Sequence, residues 1–184
     1  MRAVWLGVPE SFLEERRRLG LDARDELWEG VLHMVPPPAW QHSIVQGHLY
    51  SALLQIARRR GLDGACEGGV FAAEKNWRVP DIIFVRDVDA AAVRRPETAE
   101  LVVEILSPDD ESRDKLPFYA KVGVREVWLV EPGTREVEIL TLVAGRYEPV
   151  LFVDGRARSP LLGIDLRVAD GKLELRDGAE LHVI

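Results

Sequence analysis

Two apolar runs in this chain each carry one carboxylate in their interior, and this constrains the fold more than any other feature. Asp81 sits between Val79-Pro80 and Ile82-Ile83-Phe84-Val85. Glu104 sits between Val102-Val103 and Ile105-Leu106. Short runs rich in β-branched side chains read as strands of a buried sheet. A carboxylate inside such a strand is costly to bury without a partner. Two of them in neighbouring strands, facing one pocket, suggest a cation between them. Either one alone reads as well as a solvated strand end or the partner of an arginine.

The rest of the sequence builds a mixed α/β (α+β) pattern around these strands. Residues 9–19 read as a short helix with Ser11 as a candidate cap, and residues 27–35 as a hairpin turning at a glycine. Pro36, Pro37 and Pro38 stop either element. Over residues 40–60, Ile44, Leu49, Leu53, Leu54 and Ile56 recur mostly at helical spacing, and Gly61 ends the run. Residues 69–75, 79–85 and 100–106 read as strands. Ser107-Pro108-Asp109-Asp110 reads as a helix start, with Ser107 capping and Asp110 completing a capping box. Pro117 disturbs that helix, or opens a second turn over Phe118 to Val122 that Gly123 closes. Residues 125–131 return as a strand. Gly133, Gly145, Gly155 and Gly171 then punctuate a mostly β tail. Strand 100–106, the helix and strand 125–131 form a right-handed crossover unit.

The 184 residues suit one domain spanning 1–184, since no repeat or linker divides them. With 47% apolar and 30% charged residues the composition is that of a globular protein. The net charge of −7 argues against a nucleic-acid coat protein, but not against an enzyme with a local phosphate-binding patch. Cys66 is the only cysteine, which fits a reducing compartment. No segment reaches the roughly 18 apolar residues of a membrane helix, and no basic leader is present, so the expected location is cytoplasmic.

The motifs resemble the Uma2 family of restriction-endonuclease-like proteins. The resemblance runs through Val79-Pro80-Asp81-Ile82 and Leu101-Val102-Val103-Glu104-Ile105-Leu106-Ser107-Pro108. It continues through Lys115-Leu116-Pro117-Phe118-Tyr119-Ala120 and Gly123-Val124-Arg125-Glu126-Val127-Trp128-Leu129-Val130-Glu131-Pro132. It reaches back to Glu26-Leu27-Trp28-Glu29-Gly30 and to His42, covering roughly residues 20–140. It implies a PD-(D/E)XK nuclease core: a mixed central β-sheet flanked by helices, here with a β-rich C-terminal segment, and a divalent cation.

On that resemblance Asp81 and Glu104, with the backbone carbonyl of Ile105, would hold Mg²⁺ or Mn²⁺. Phosphodiester hydrolysis needs an attacking water, in-line geometry and charge neutralisation, all of which such an ion supplies. The usual motif places a lysine two residues after the glutamate, where this chain has Leu106. Lys115, one of only four lysines, is then the natural substitute on the following helix, with Lys121 as fallback. Glu29 would be a further acidic ligand, or merely a hairpin-turn residue. His42 would touch phosphate or metal-bound water, or cap its helix. Tyr119 and Trp128 read as packing between helix and sheet. Asp109, Asp110, Glu111 and Asp114 read as a solvated helix start. Arg16 to Arg18 and Arg58 to Arg60 read as solvated helix faces, with phosphate contact as the alternative.

The expected activity is metal-dependent cleavage of nucleic acid, with DNA as substrate, no membrane partner, and a homodimer by analogy with nucleases that cut two strands. The alternative is a nuclease fold that binds without cutting. Four scattered histidines show no ligand spacing for a histidine-held metal enzyme. No Gly-x-Ser-x-Gly elbow and no phosphate-cradling glycine loop occurs, which disfavours a serine hydrolase and an NTPase.

Overall fold

The computed structural model describes residues 3–86, 95–108 and 111–184. Its centre is a six-stranded sheet in the order β11-β10-β9-β8-β7-β4. The strands are β4 (Leu62–Cys66), β7 (Ile82–Arg86), β8 (Leu101–Ile105), β9 (Glu126–Val130), β10 (Val137–Val143) and β11 (Arg146–Pro149). β8 and β9 pair in parallel and every other neighbour is antiparallel. β8 and β9 are buried along their whole length, which is why their sequences are nearly unbroken apolar runs.

Side chains alternate between the faces of this sheet. Leu101, Val103 and Ile105 join one core with Ile82, Phe84 and Trp128, beneath the long helix α2 (Trp40–Arg58). Val102 joins the opposite core with Ile83, Val127 and Leu129, beneath the short helix α3 (Leu116–Lys121). Glu104 shares Val102's face and is therefore turned toward α3.

A five-stranded sheet, β1-β3-β2-β6-β5, is built from β1 (Ala3–Trp5), β2 (Glu26–Trp28), β3 (Val31–Met34), β5 (Val70–Ala73) and β6 (Asn76–Arg78). Leu27 and Leu32 pack there against Leu13 of helix α1 (Glu10–Arg18). The C-terminal segment forms a four-stranded sheet of β12 (Arg156–Arg158), β13 (Asp165–Ala169), β14 (Lys172–Asp177) and β15 (Glu180–Val183). Its Leu166, Leu173 and Leu175 enter the same core as α2 and Trp128.

The mixed class, the hairpin, α2 and the β-rich tail follow the sequence pattern. Four details differ. Pro9, not Ser11, precedes α1, because proline's fixed φ suits that position and Ser11 falls inside the first turn. Residues 69–75 are not one strand: β5 ends at Ala73 and the chain turns into β6. No helix begins at Ser107. A 3-10 turn at Ser112–Lys115 leads into α3, whose Pro117 lies in the first turn, and Gly123 follows at φ 82°. Asp109 and Asp110, assigned to that helix start, lie outside the described residues. Asp81 lies just ahead of β7 rather than inside it.

Candidate functional site

Asp81 and Glu104 meet across one strand pair. The β7–β8 register ends at Ile82 opposite Val103, so the next step sets Asp81 opposite Glu104. Both carboxylates are buried, and both line a cleft of about 380 Å³. Its walls come from the Pro36–Pro38 segment, the start of α2, the end of β8 and the Ser112–Lys115 turn.

Asp81 is held on all sides. Its Oδ2 accepts from the Ile105 N–H at 2.7 Å, and its Oδ1 lies 2.9 Å from His42 Nε2. Gln46 Nε2 donates to its backbone carbonyl at 2.8 Å, as does the Glu67 N–H at 3.0 Å. Ser107 Oγ stands 3.4 Å from His42 Nδ1, which fits an imidazole that carries its proton on Nε2 and donates it to Asp81. A strand residue presents its N–H and C=O to the same edge. The Ile105 carbonyl is therefore directed to the Asp81 side, while Leu106 N–H bonds Val130 on the other.

Lys115 is carried into the cleft by the turn that precedes α3. Its ammonium is buried between two carboxylates, 3.1 Å from Glu104 Oε1 and 2.8 Å from Glu26 Oε1. Tyr119, one helical turn later, donates its hydroxyl to Glu104 Oε1 at 2.6 Å. Both donors end on Oε1, so Glu104 Oε2 has no protein donor among the described residues. Burial pushes the Glu104 carboxyl up to about 7, and the charges of Asp81 and Glu26 add to this against the pull of Lys115 and Tyr119. Burial alone would lower the Lys115 ammonium, but Glu104 and Glu26 overcome it and raise it.

Glu26 is the residue the sequence did not single out. It opens β2, is buried, and accepts from the Val79 N–H at 2.9 Å and from Trp28 Nε1 at 2.6 Å. Burial raises its carboxyl, Lys115 and the hydrogen bonds lower it, and the balance lies below the ordinary value. Glu29, expected as an acidic ligand, is exposed in the β2–β3 turn at φ 53° and does not line the cleft. A two-residue turn of this type needs positive φ at both positions, and Gly30 at 89° completes it. Lys121 is exposed at the end of α3 and also lies outside the cleft. Tyr119, read as packing, is both packed and bonded to Glu104. Arg24 lines the cleft mouth, 3.2 Å from Glu67 Oε1 and 3.9 Å from Asp81 Oδ1.

The basic runs bind carboxylates within the chain. Arg16, Arg17 and Arg18 pair with Asp25, Glu10 and Glu15. Arg58 pairs with Asp63, and Arg59 and Arg60 share Asp177.

Two buried carboxylates, Glu26 and Glu104, thus flank the buried Lys115 ammonium, and buried Asp81 stands opposite Glu104 on the neighbouring strand. Among the described residues no three His, Cys, Asp or Glu side chains gather to hold a metal. The carboxylates of Asp81 and Glu104 and the Ile105 carbonyl are oxygen donors, which would fit a hard cation that keeps several waters, such as Mg²⁺ or Mn²⁺. No described helix is long and apolar enough to cross a membrane.

Comparison with known proteins agrees with this architecture. The solved structure of a "putative nuclease belonging to DUF820" from Anabaena variabilis is similar in fold, with a TM-score of 0.60 at 21% identity. The match covers 76% of this chain and 83% of that one. No curated protein matches the chain. The model of the Uma2 family, described as "putative restriction endonuclease", matches residues 10–169. That match takes in every element lining the cleft, and the chain belongs to the Uma2 family.

Proposed function

We propose that this protein is a divalent-metal-dependent nuclease that hydrolyses phosphodiester bonds, with DNA as its substrate. The observation that carries the reading is the meeting of Asp81, Glu104 and Lys115 in one cleft, although the lysine comes from a separate element. A cation bound by Asp81, Glu104 and the Ile105 carbonyl would supply an activated water and neutralise charge on the phosphate. The protein's own residues prepare that site. His42 and the Ile105 N–H each hold one oxygen of Asp81, so the carboxylate is oriented in advance. Tyr119 and Lys115 hold Glu104 Oε1 and leave Oε2 without a protein donor among the described residues. Lys115, flanked by two carboxylates, stays an ammonium. Its role is to orient the attacking water or stabilise charge in the transition state, not to abstract a proton.

The test pairs Mn²⁺ titration calorimetry with a plasmid-cleavage assay in Mg²⁺ or Mn²⁺. Wild type should bind metal and cleave. Asp81→Ala should lose both while keeping its circular dichroism spectrum. Lys115→Ala should cleave more slowly by about 10²- to 10³-fold, the range for removing one preorganised charge-stabilising group. Cleavage by Asp81→Ala at the wild-type rate would sink the proposal. DNA binding without turnover in either metal would instead fit a nuclease fold that binds without cutting.

A further inference from the structure

The outward face of the C-terminal sheet carries a cluster of four arginines. Ala157, Leu166 and Leu175 turn inward to the core. The alternate positions Arg156, Arg158, Arg167 and Arg176 turn outward and are exposed. The arginines of α1 and α2 are matched by carboxylates, as described above. Here four arginines meet only Asp165 and Glu174, a local excess of two positive charges on a chain of net charge −7. Arg158 pairs with Asp165 at 2.8 Å and Arg167 reaches Glu174 only at 3.6 Å. Arg156 and Arg176 have no carboxylate within ion-pairing distance among the described residues.

The register sharpens the point. Arg156 lies directly opposite Arg167 on the neighbouring strand. Like charges directly across a strand pair are destabilising, and an anion bound between the two would relieve such repulsion. A cavity of about 580 Å³ opens at these residues. Guanidinium groups match phosphate in a bidentate manner.

We infer that this sheet face binds the phosphate backbone of duplex DNA as a second contact region outside the cleft. The inference rests on the nucleic-acid reading of the cleft and extends it. Guanidinium contacts to phosphate carry no sequence information, so the contact is independent of sequence.

The experiment is fluorescence anisotropy with a labelled duplex of roughly 20 base pairs in chelator, over a series of salt concentrations. It compares wild type, Arg156→Ala/Arg167→Ala/Arg176→Ala and the control Arg17→Ala/Arg18→Ala, whose arginines are paired within α1 and lie outside the cleft. The triple variant should bind at least about tenfold more weakly, with a salt slope shallower by about 3, since each lost phosphate contact removes about 0.9. Arg17→Ala/Arg18→Ala should keep the wild-type slope. A triple variant that binds with wild-type affinity and slope overturns the inference, and the nuclease reading survives if that variant still cleaves. Failure of wild type both to bind and to cleave overturns the two together. A shift from dimer to monomer in the triple variant with unchanged DNA binding, read by light scattering, overturns it in favour of a second copy of this chain. All three side chains are exposed, and an unchanged melting temperature shows that the variant is folded.

Discussion

At the scale of single residues the cleft is governed by buried charge. Glu104 has a folded-state value of about 7 against an ordinary 4.5, so the folded chain binds this proton more tightly than the unfolded chain. Stability from this group is therefore complete below about pH 4.5 and lost as pH rises toward 7. In chelator the melting temperature should fall across that window, and Glu104→Gln should flatten the fall. Equal slopes for the two proteins would show that burial does not raise this group. Lys115 poses the converse problem. Removing it strands Glu26 and Glu104 without their cation, and breaking a buried pair costs about 3–5 kcal/mol. Lys115→Ala should therefore melt well below wild type, and its cleavage is to be read beneath its own transition. Among the site residues, Asp81 and Glu104 were legible because a carboxylate in an apolar run stands out. Glu26 was not, because a glutamate opening a hairpin strand has the pattern of a solvated one.

Elements set where those residues meet. β8 delivers Glu104 to the α3 face by its alternation alone, and the α3 turn returns Lys115 and Tyr119 to the same spot. Their spacing of four residues puts both side chains on one helical face. β4, at the edge of the central sheet beyond β7, escaped the sequence reading. Leu62-Asp63-Gly64-Ala65-Cys66 has none of the β-branched residues that mark strands. Its glycine is required by contact. A Cβ on Gly64 would lie 2.5 Å from Phe84 Cδ1 and 2.6 Å from the Ile83 carbonyl oxygen. Gly64→Ala should therefore destabilise the chain by about 1–3 kcal/mol, the range for overpacking, as measured by denaturant titration. A stability equal to wild type would mean that β4 shifts freely, and the β7 end beside Asp81 would then have little support from that edge.

At the scale of the molecule the C-terminal sheet belongs to the same packed unit as the cleft. Leu173 and Leu175 share a core with α2 and Trp128. Glu126, fully buried at the start of β9, accepts from Ser159 Oγ at 2.6 Å, Leu161 N–H at 3.0 Å and Trp128 Nε1 at 2.7 Å. A chain ending at residue 149 would expose that core and leave Glu126 with the Trp128 indole alone. It should fail to show a cooperative thermal transition by circular dichroism. A sharp transition near the wild-type temperature would make the tail an independent unit.

The sequence by itself determined what periodicity and local chemistry encode. These are the buried central strands, α2, the β2–β3 turn that demands positive φ, and the two carboxylates too costly to bury without a purpose. The tertiary structure alone decided what depends on distant elements meeting. Glu26, on β2, reaches Lys115 because the N-terminal sheet lies against the α3 turn. Glu29, three residues along the same segment, is turned to solvent by the hairpin. The outward arginines of β12, β13 and β14 form one face only through their strand register. Burial and cross-strand position are properties of the packed chain, and they separate an ordinary surface charge from one held in a site.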